Sequence, residues 1–123
     1  MLDNQVIKTG IGWRLGWNPQ APVYQGLVGG NDWAFELTAA ELDDFCRLLE
    51  QLAQTMSQME NELMDEERVA CEVESDVLWL EAEGYPNSFE VRLILNTGRQ
   101  CEGNWSETVV PELIEAARGL KVF

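Results

Sequence analysis

Hydrophobic and polar positions alternate with a period of two, give way to the three-and-four spacing of a helix, and then repeat both patterns. Ile11, Trp13, Leu15 and Trp17 alternate with Gly12, Arg14 and Gly16, as a half-buried strand requires because successive side chains point to opposite faces. A weaker strand precedes them near Gln5 to Thr9, and Val23 to Val28 supplies the next. Gly29-Gly30-Asn31 provides residues that tolerate positive φ in a tight hairpin, after which Trp33, Phe35 and Leu37 alternate with Ala34 and Glu36. A second set follows. Val69-Cys71-Val73 alternates with Ala70-Glu72-Glu74, Leu78-Leu80-Ala82 with Trp79-Glu81-Glu83, and Phe89-Val91-Leu93-Leu95 with Glu90 and Arg92, and Asn96-Thr97-Gly98 turns the chain into a strand from Arg99 to Trp105.

A helix closes each set. Thr38 and Glu41 stand at the positions of a capping box and Leu37 and Leu42 at those of a hydrophobic staple, which fixes the first helix to start near Ala39. Leu42, Phe45, Leu49, Leu52, Met56, Met59 and Leu63 then recur at alternating spacings of three and four, an a/d seam. Such a helix from Ala39 to Leu63 would span roughly 40 Å at about 1.5 Å per residue, more than a short strand can cover. Its far end is therefore expected to pack on another helix, with Leu49, Leu52, Met56, Met59 and Leu63 as the seam of a homodimer. The last helix is shorter: it starts either from a Ser106 cap or at Pro111, and Gly119 is placed to end it as a left-handed C-cap.

The order ββββα, ββββα predicts an α+β fold of tandem repeats, with curled antiparallel sheets packed against one long and one short helix. Superposing Gly16-Trp17-Asn18-Pro19 on Gly84-Tyr85-Pro86-Asn87 also aligns Val23 with Val91, Leu27 with Leu95, Gly30 with Gly98 and Thr38 with Ser106. The coincidences fall at turns and caps. With 123 residues the two pseudo-repeats, 1–65 and 66–123, are expected to share one core in a single domain, 1–123.

Composition narrows the chemistry. The chain contains no histidine, which removes Cys-His and Ser-His catalysis and the commonest nitrogen ligand for metals. Cys46, Cys71 and Cys101 are odd in number and far apart, each in a position that suits a small buried hydrophobe. Neither a disulfide framework nor a zinc site is indicated, no signal-like or membrane-spanning run is present, and a cytoplasmic location is expected. No GxxxxGK[ST] or GxSxG motif occurs, and carboxylate pairs such as Glu72 and Glu74 are inevitable among 22 acids. A non-enzymatic protein without a cofactor or metal is the resulting expectation.

Charge is the other constraint. Lys and Arg number 8 against 22 Asp and Glu, a formal net charge of −14. Ten of the acids lie between Glu60 and Glu83, against Arg68 alone. They serve either as a solvated surface or as an anionic surface for a basic protein partner, with Glu66, Glu67, Glu72, Glu74, Glu81 and Glu83 as candidate contacts. Clustered carboxylates also suit calcium or magnesium, but no EF-hand spacing is present.

Several blocks carry a resemblance. Gly12-Trp13-Arg14-Leu15-Gly16-Trp17, Gly26-Leu27-Val28-Gly29-Gly30, Asp32-Trp33-Ala34, Asp44-Phe45-Cys46-Arg47-Leu48, Leu78-Trp79-Leu80-Glu81 and Arg92-Leu93-Ile94-Leu95 resemble a cyanobacterial family of unknown function. The resemblance implies a fold similar to the single-stranded-DNA-binding regulators of the Whirly and coactivator type, and brings no catalytic residues. A single-strand-binding sheet needs cations for phosphates and exposed aromatics for bases. Trp13, Trp17, Trp33, Trp79 and Trp105 are expected to lie mostly in the core, and the net charge repels a polyanion unless Arg14, Arg92 and Arg99 are gathered into one basic spot. The first reading is thus a protein-interaction or scaffold module with an acidic surface; the alternative is a nucleic-acid-associated regulator.

Overall fold

A computed structural model of the chain describes residues 5–60 and 67–120. Strands β1 (Val6–Gly10), β2 (Trp13–Trp17), β3 (Gly26–Gly29) and β4 (Ala34–Leu37) precede helix α1 (Ala39–Glu60); β5 (Val69–Glu74), β6 (Leu78–Tyr85), β7 (Ser88–Leu95) and β8 (Glu102–Trp105) precede α2 (Val110–Arg118). Each set of strands forms its own open sheet in chain order, antiparallel throughout. The predicted α+β class with two ββββα units is what the chain forms.

Alternation sets the faces. Leu15 on β2, Val28 on β3 and Leu37 on β4 point into the core, as do Leu78, Leu80 and Ala82 on β6 and Val91, Leu93 and Leu95 on β7. Ile11 is a correction: it lies in the β1–β2 turn, 88% exposed, because Gly12 reverses the chain there with φ +87. β3 begins only at Gly26, which leaves Val23 and Tyr24 exposed in the preceding loop. The glycines of the β3–β4 hairpin serve close approach rather than positive φ. Gly30 donates its N–H to the Trp33 carbonyl at 2.9 Å, and a Cβ on Gly30 would fall 2.3 Å from the Trp33 indole. In the β7–β8 turn the positive φ belongs to Gln100, at 55°.

The capping box forms as written in the sequence. Thr38 N–H donates to Glu41 Oε1 at 2.9 Å and Glu41 N–H to Thr38 Oγ1 at 3.1 Å. From that start α1 leaves its own sheet and lies chiefly against β5 and β6 of the other one, keeping smaller contacts with β3 and β4. The seam residues therefore have an internal partner. Leu49, Leu52 and Met56 are at most 1% exposed within one chain, so they cannot present a seam to a second copy. Met59 is half-buried and packs beside Cys71 of β5; Leu63 lies outside the described residues. The length of α1 is taken up by crossing from one sheet to the other.

Helix α2 begins at Val110, with Val109 as N-cap, no side-chain cap bond, and Pro111 in the first turn, where a missing N–H costs no hydrogen bond. Ser106 contributes its carbonyl, which accepts from Val109 and Val110. Gly119 does not adopt the expected left-handed conformation: its φ is −83, because the last turn continues to Leu120, whose N–H reaches the Ala117 carbonyl and whose side chain is buried. α2 packs on α1, β2 and β7. The buried residues of both repeats consequently belong to one hydrophobic cluster. Polar ties reinforce the crossing, among them Trp105 Nε1 donating to the Gly29 carbonyl at 3.0 Å, Trp13 Nε1 to Glu112 at 2.9 Å, and Arg118 Nε to Glu50 at 2.5 Å.

Candidate functional site

The outward positions of the second sheet are built from the polar half of each alternating strand. β5 turns out Ala70, Glu72 and Glu74; β6 turns out Trp79, Glu81, Glu83 and Tyr85; β7 turns out Glu90, Arg92 and Ile94; β8 turns out Glu102 and Asn104. Register then decides who meets whom. Glu72 lies opposite Glu81, and Glu83 opposite Glu90. Like charges directly across an antiparallel pair are destabilising. Another row runs Glu74, Trp79, Ile94 and Glu102, so a half-buried aromatic and an isoleucine sit between carboxylates.

Two cations relieve this face in part. Arg92 is 3.6 Å from Glu81, with its guanidinium 5.6 Å from the centre of the Trp79 ring; Arg68 is 3.9 Å from Glu83 and lies over Tyr85 at 5.4 Å. Among the described residues no group of three or more metal-ligating side chains converges. The carboxylates stand in rows along strands, about 7 Å apart at every second residue. That arrangement suits the spaced cations of an extended polymer better than a single ion.

Of the residues singled out in the sequence, Glu72, Glu74, Glu81 and Glu83 are brought together here. Glu67 is exposed just before β5, and Glu66 lies outside the described residues. Sequence reasoning missed Glu90 and Glu102 as members of the face and Trp79 and Ile94 as its apolar centre. Alternation in β7 already places Glu90 outward, but its position opposite Glu83 depends on register, which strand pattern does not carry.

Arg14, Arg92 and Arg99 are not gathered. Arg14 on β2 donates to the Trp33 carbonyl at 3.1 Å, and Arg92 belongs to the acidic face. Arg99, in the β7–β8 turn, bonds the Glu36 carbonyl and the Glu41 carboxylate and lies over Tyr24. This pairing accounts for Glu41, a carboxylate only 3% exposed. Trp13 and Trp105 are buried and Trp17 and Trp33 pack against the core, which leaves Trp79 on an outer face.

The thiols are poorly suited to nucleophilic work. Burial, aided by the charge of Asp43, pushes Cys46 up to about 12, and burial also raises Cys71, so neither is a thiolate near neutral pH. A separate cleft of about 310 Å³ opens between the second half of α1, the β6–β7 turn and α2, floored by Ala53, Phe89, Val110 and Ile114. No described helix is long and apolar enough to cross a membrane.

Fold and surface together define a two-sheet α+β protein whose distinguishing feature is one acidic sheet face. Residues 8–120 match the family described as Domain of unknown function (DUF1818), and the chain belongs to that family. It is also similar to a crystal structure of a protein of unknown function from the DUF155 family of Prochlorococcus sp. NATL2A, a cyanobacterium. The two are 25% identical and superpose with a TM-score of 0.89 over 95% of this chain and 98% of the other. No curated protein matches the sequence.

Proposed function

We propose that this chain is a non-enzymatic interaction module whose second sheet docks a basic segment of another protein. The observation that carries the reading is the opposition of Glu72 to Glu81 and of Glu83 to Glu90. Arg92 and Arg68 offset the repulsion within these pairs only in part, and a partner bearing Lys or Arg between them converts the remainder into attraction. Trp79 and Ile94 add an apolar centre to a charged surround, the kind of spot at which binding energy concentrates.

Titration of an unstructured lysine-rich peptide into isotope-labelled protein tests the reading. Amide shifts are expected at Glu72, Glu74, Glu81, Glu83 and Glu90, with affinity falling as salt is added. A Glu81→Lys, Glu83→Lys variant should bind at least tenfold more weakly. Shifts confined to other surfaces, or salt-independent affinity, would sink it.

The resemblance to single-strand-binding regulators supports a second reading, as a nucleic-acid-associated protein. The net charge of −14 and the separate engagement of Arg14, Arg92 and Arg99 weigh against it. Tight binding of single-stranded DNA at physiological salt would reverse that order.

A further inference from the structure

The four sheet edges are protected unequally. β1 directs Lys8 toward the face that carries Leu15, its cross-strand partner, and the ammonium reaches the Ala116 carbonyl; an inward charge of this kind discourages strand addition. β4 and β8 are four residues long, and both lie beside the junction of the two sheets: Trp105 of β8 donates to Gly29 of β3, and the ring of Trp33, just before β4, lies against Gly103 of β8. β5 has none of these devices. It runs for six residues in unbroken register with β6, contains no Pro or Gly, and turns only Val69, Cys71 and Val73 inward. Among the described residues β6 is its one strand neighbour.

Burial across the sheet adds an independent observation. The inward residues of β6 and β7, Leu78, Leu80 and Ala82 with Val91, Leu93 and Leu95, are fully covered, whereas Val69, Cys71 and Val73 are only half-buried. α1 reaches β5 as well as β6, yet it leaves the inward row of β5 half-exposed, so the apolar layer is only partly covered at this edge. On the opposite side of the strand Glu72 and Glu74 are exposed. A second copy of β5 would place carboxylates beside carboxylates, so these two residues guard the edge against its own kind and leave it open to a strand of opposite charge.

We propose that β5 is a strand-addition edge that accepts an extended partner segment of alternating apolar and Lys or Arg residues as a fifth strand of the second sheet. Its apolar side chains extend the row of Val69, Cys71 and Val73, its cations lie beside Glu72 and Glu74, and backbone hydrogen bonds supply affinity independent of sequence. A segment of about six residues matches the length of β5. The proposal rests on the acidic-face reading and specifies the conformation and side-chain order of the partner.

Three peptides of identical Lys and Val composition test it: one strictly alternating, one scrambled into Lys-Lys-Val-Val blocks, and one alternating with every second backbone nitrogen methylated. The alternating peptide is expected to bind at least tenfold more tightly than the other two, and to slow hydrogen exchange at amides within 69–74. Equal affinity for all three would overturn strand addition while leaving the acidic face as a docking surface. Tight alternating-peptide binding without protection in 69–74 would also overturn it. Failure of every peptide to bind even at low salt would overturn both readings. A Val73→Lys variant, which copies the inward charge of β1, should lose the preference for the alternating peptide yet keep its binding of the scrambled one.

Discussion

Trp105 joins the two sheets through one side chain. Its ring stacks obliquely on Trp33 at 5.1 Å and on Phe45 at 5.7 Å, and its N–H reaches the Gly29 carbonyl across the gap between repeats. Trp105→Phe keeps an aromatic in place but deletes that donor, at an expected cost of about 1–3 kcal/mol, read from the denaturant midpoint; no change would mean that the junction relies on packing alone. Some residue-scale detail was legible beforehand. Thr38 and Glu41 announced their capping box because both partners lie within four residues of each other. Arg99 announced nothing, since the Glu41 it neutralises is remote in sequence and the charge of a turn residue does not reveal its direction.

At the scale of elements, α1 shows where pattern reading stops. The spacing of Leu49, Leu52 and Met56 fixed the helix and its apolar face, yet periodicity describes only one side of a contact. Their partner proved to be the second sheet of the same chain. Leu49→Ala should therefore lower stability by about 2–5 kcal/mol and leave the mass measured by light scattering unchanged; a halved mass would reinstate the intermolecular seam. The helix is also held at two charged points. The hydrogen bond from Arg118 holds the Glu50 carboxyl below the usual glutamate range. Burial raises Asp44, but hydrogen bonds from Ser75 and Arg47 outweigh it and leave that group lowered as well. A carboxylate lowered by folding stabilises the native state above its unfolded value, and this contribution disappears as pH falls through the folded value. Glu50→Gln should be less stable than the parent by at most about 1 kcal/mol near neutrality, with the difference closing under acid as followed by thermal melts. A difference that persists unchanged in acid would assign Glu50 a purely packing role.

For the whole molecule, charge is distributed by face. The outward row of the first sheet reads Ile7, Gly16, Leu27, Glu36, whereas that of the second is crowded with carboxylates. The acid count was evident in the sequence; its concentration on one sheet was partly so, because alternation assigns residues to faces but not to cross-strand neighbours. Relieving one opposed pair with Glu90→Thr should raise stability by about 0.2–1 kcal/mol at low ionic strength, a gain that shrinks as salt screens it. Lower stability in both salt conditions would show that Glu90 makes a favourable contact.

The crossing of α1 onto the second sheet has a consequence for how this polypeptide comes into being. As α1 emerges during synthesis, the surface meant to receive Leu49, Leu52 and Met56 has not yet been made, and β5 and β6 must follow before that stripe is sheltered. Neither half is a smaller version of the finished protein. Cut between α1 and β5, the first half would carry a bare apolar stripe and the second a sheet without its cover.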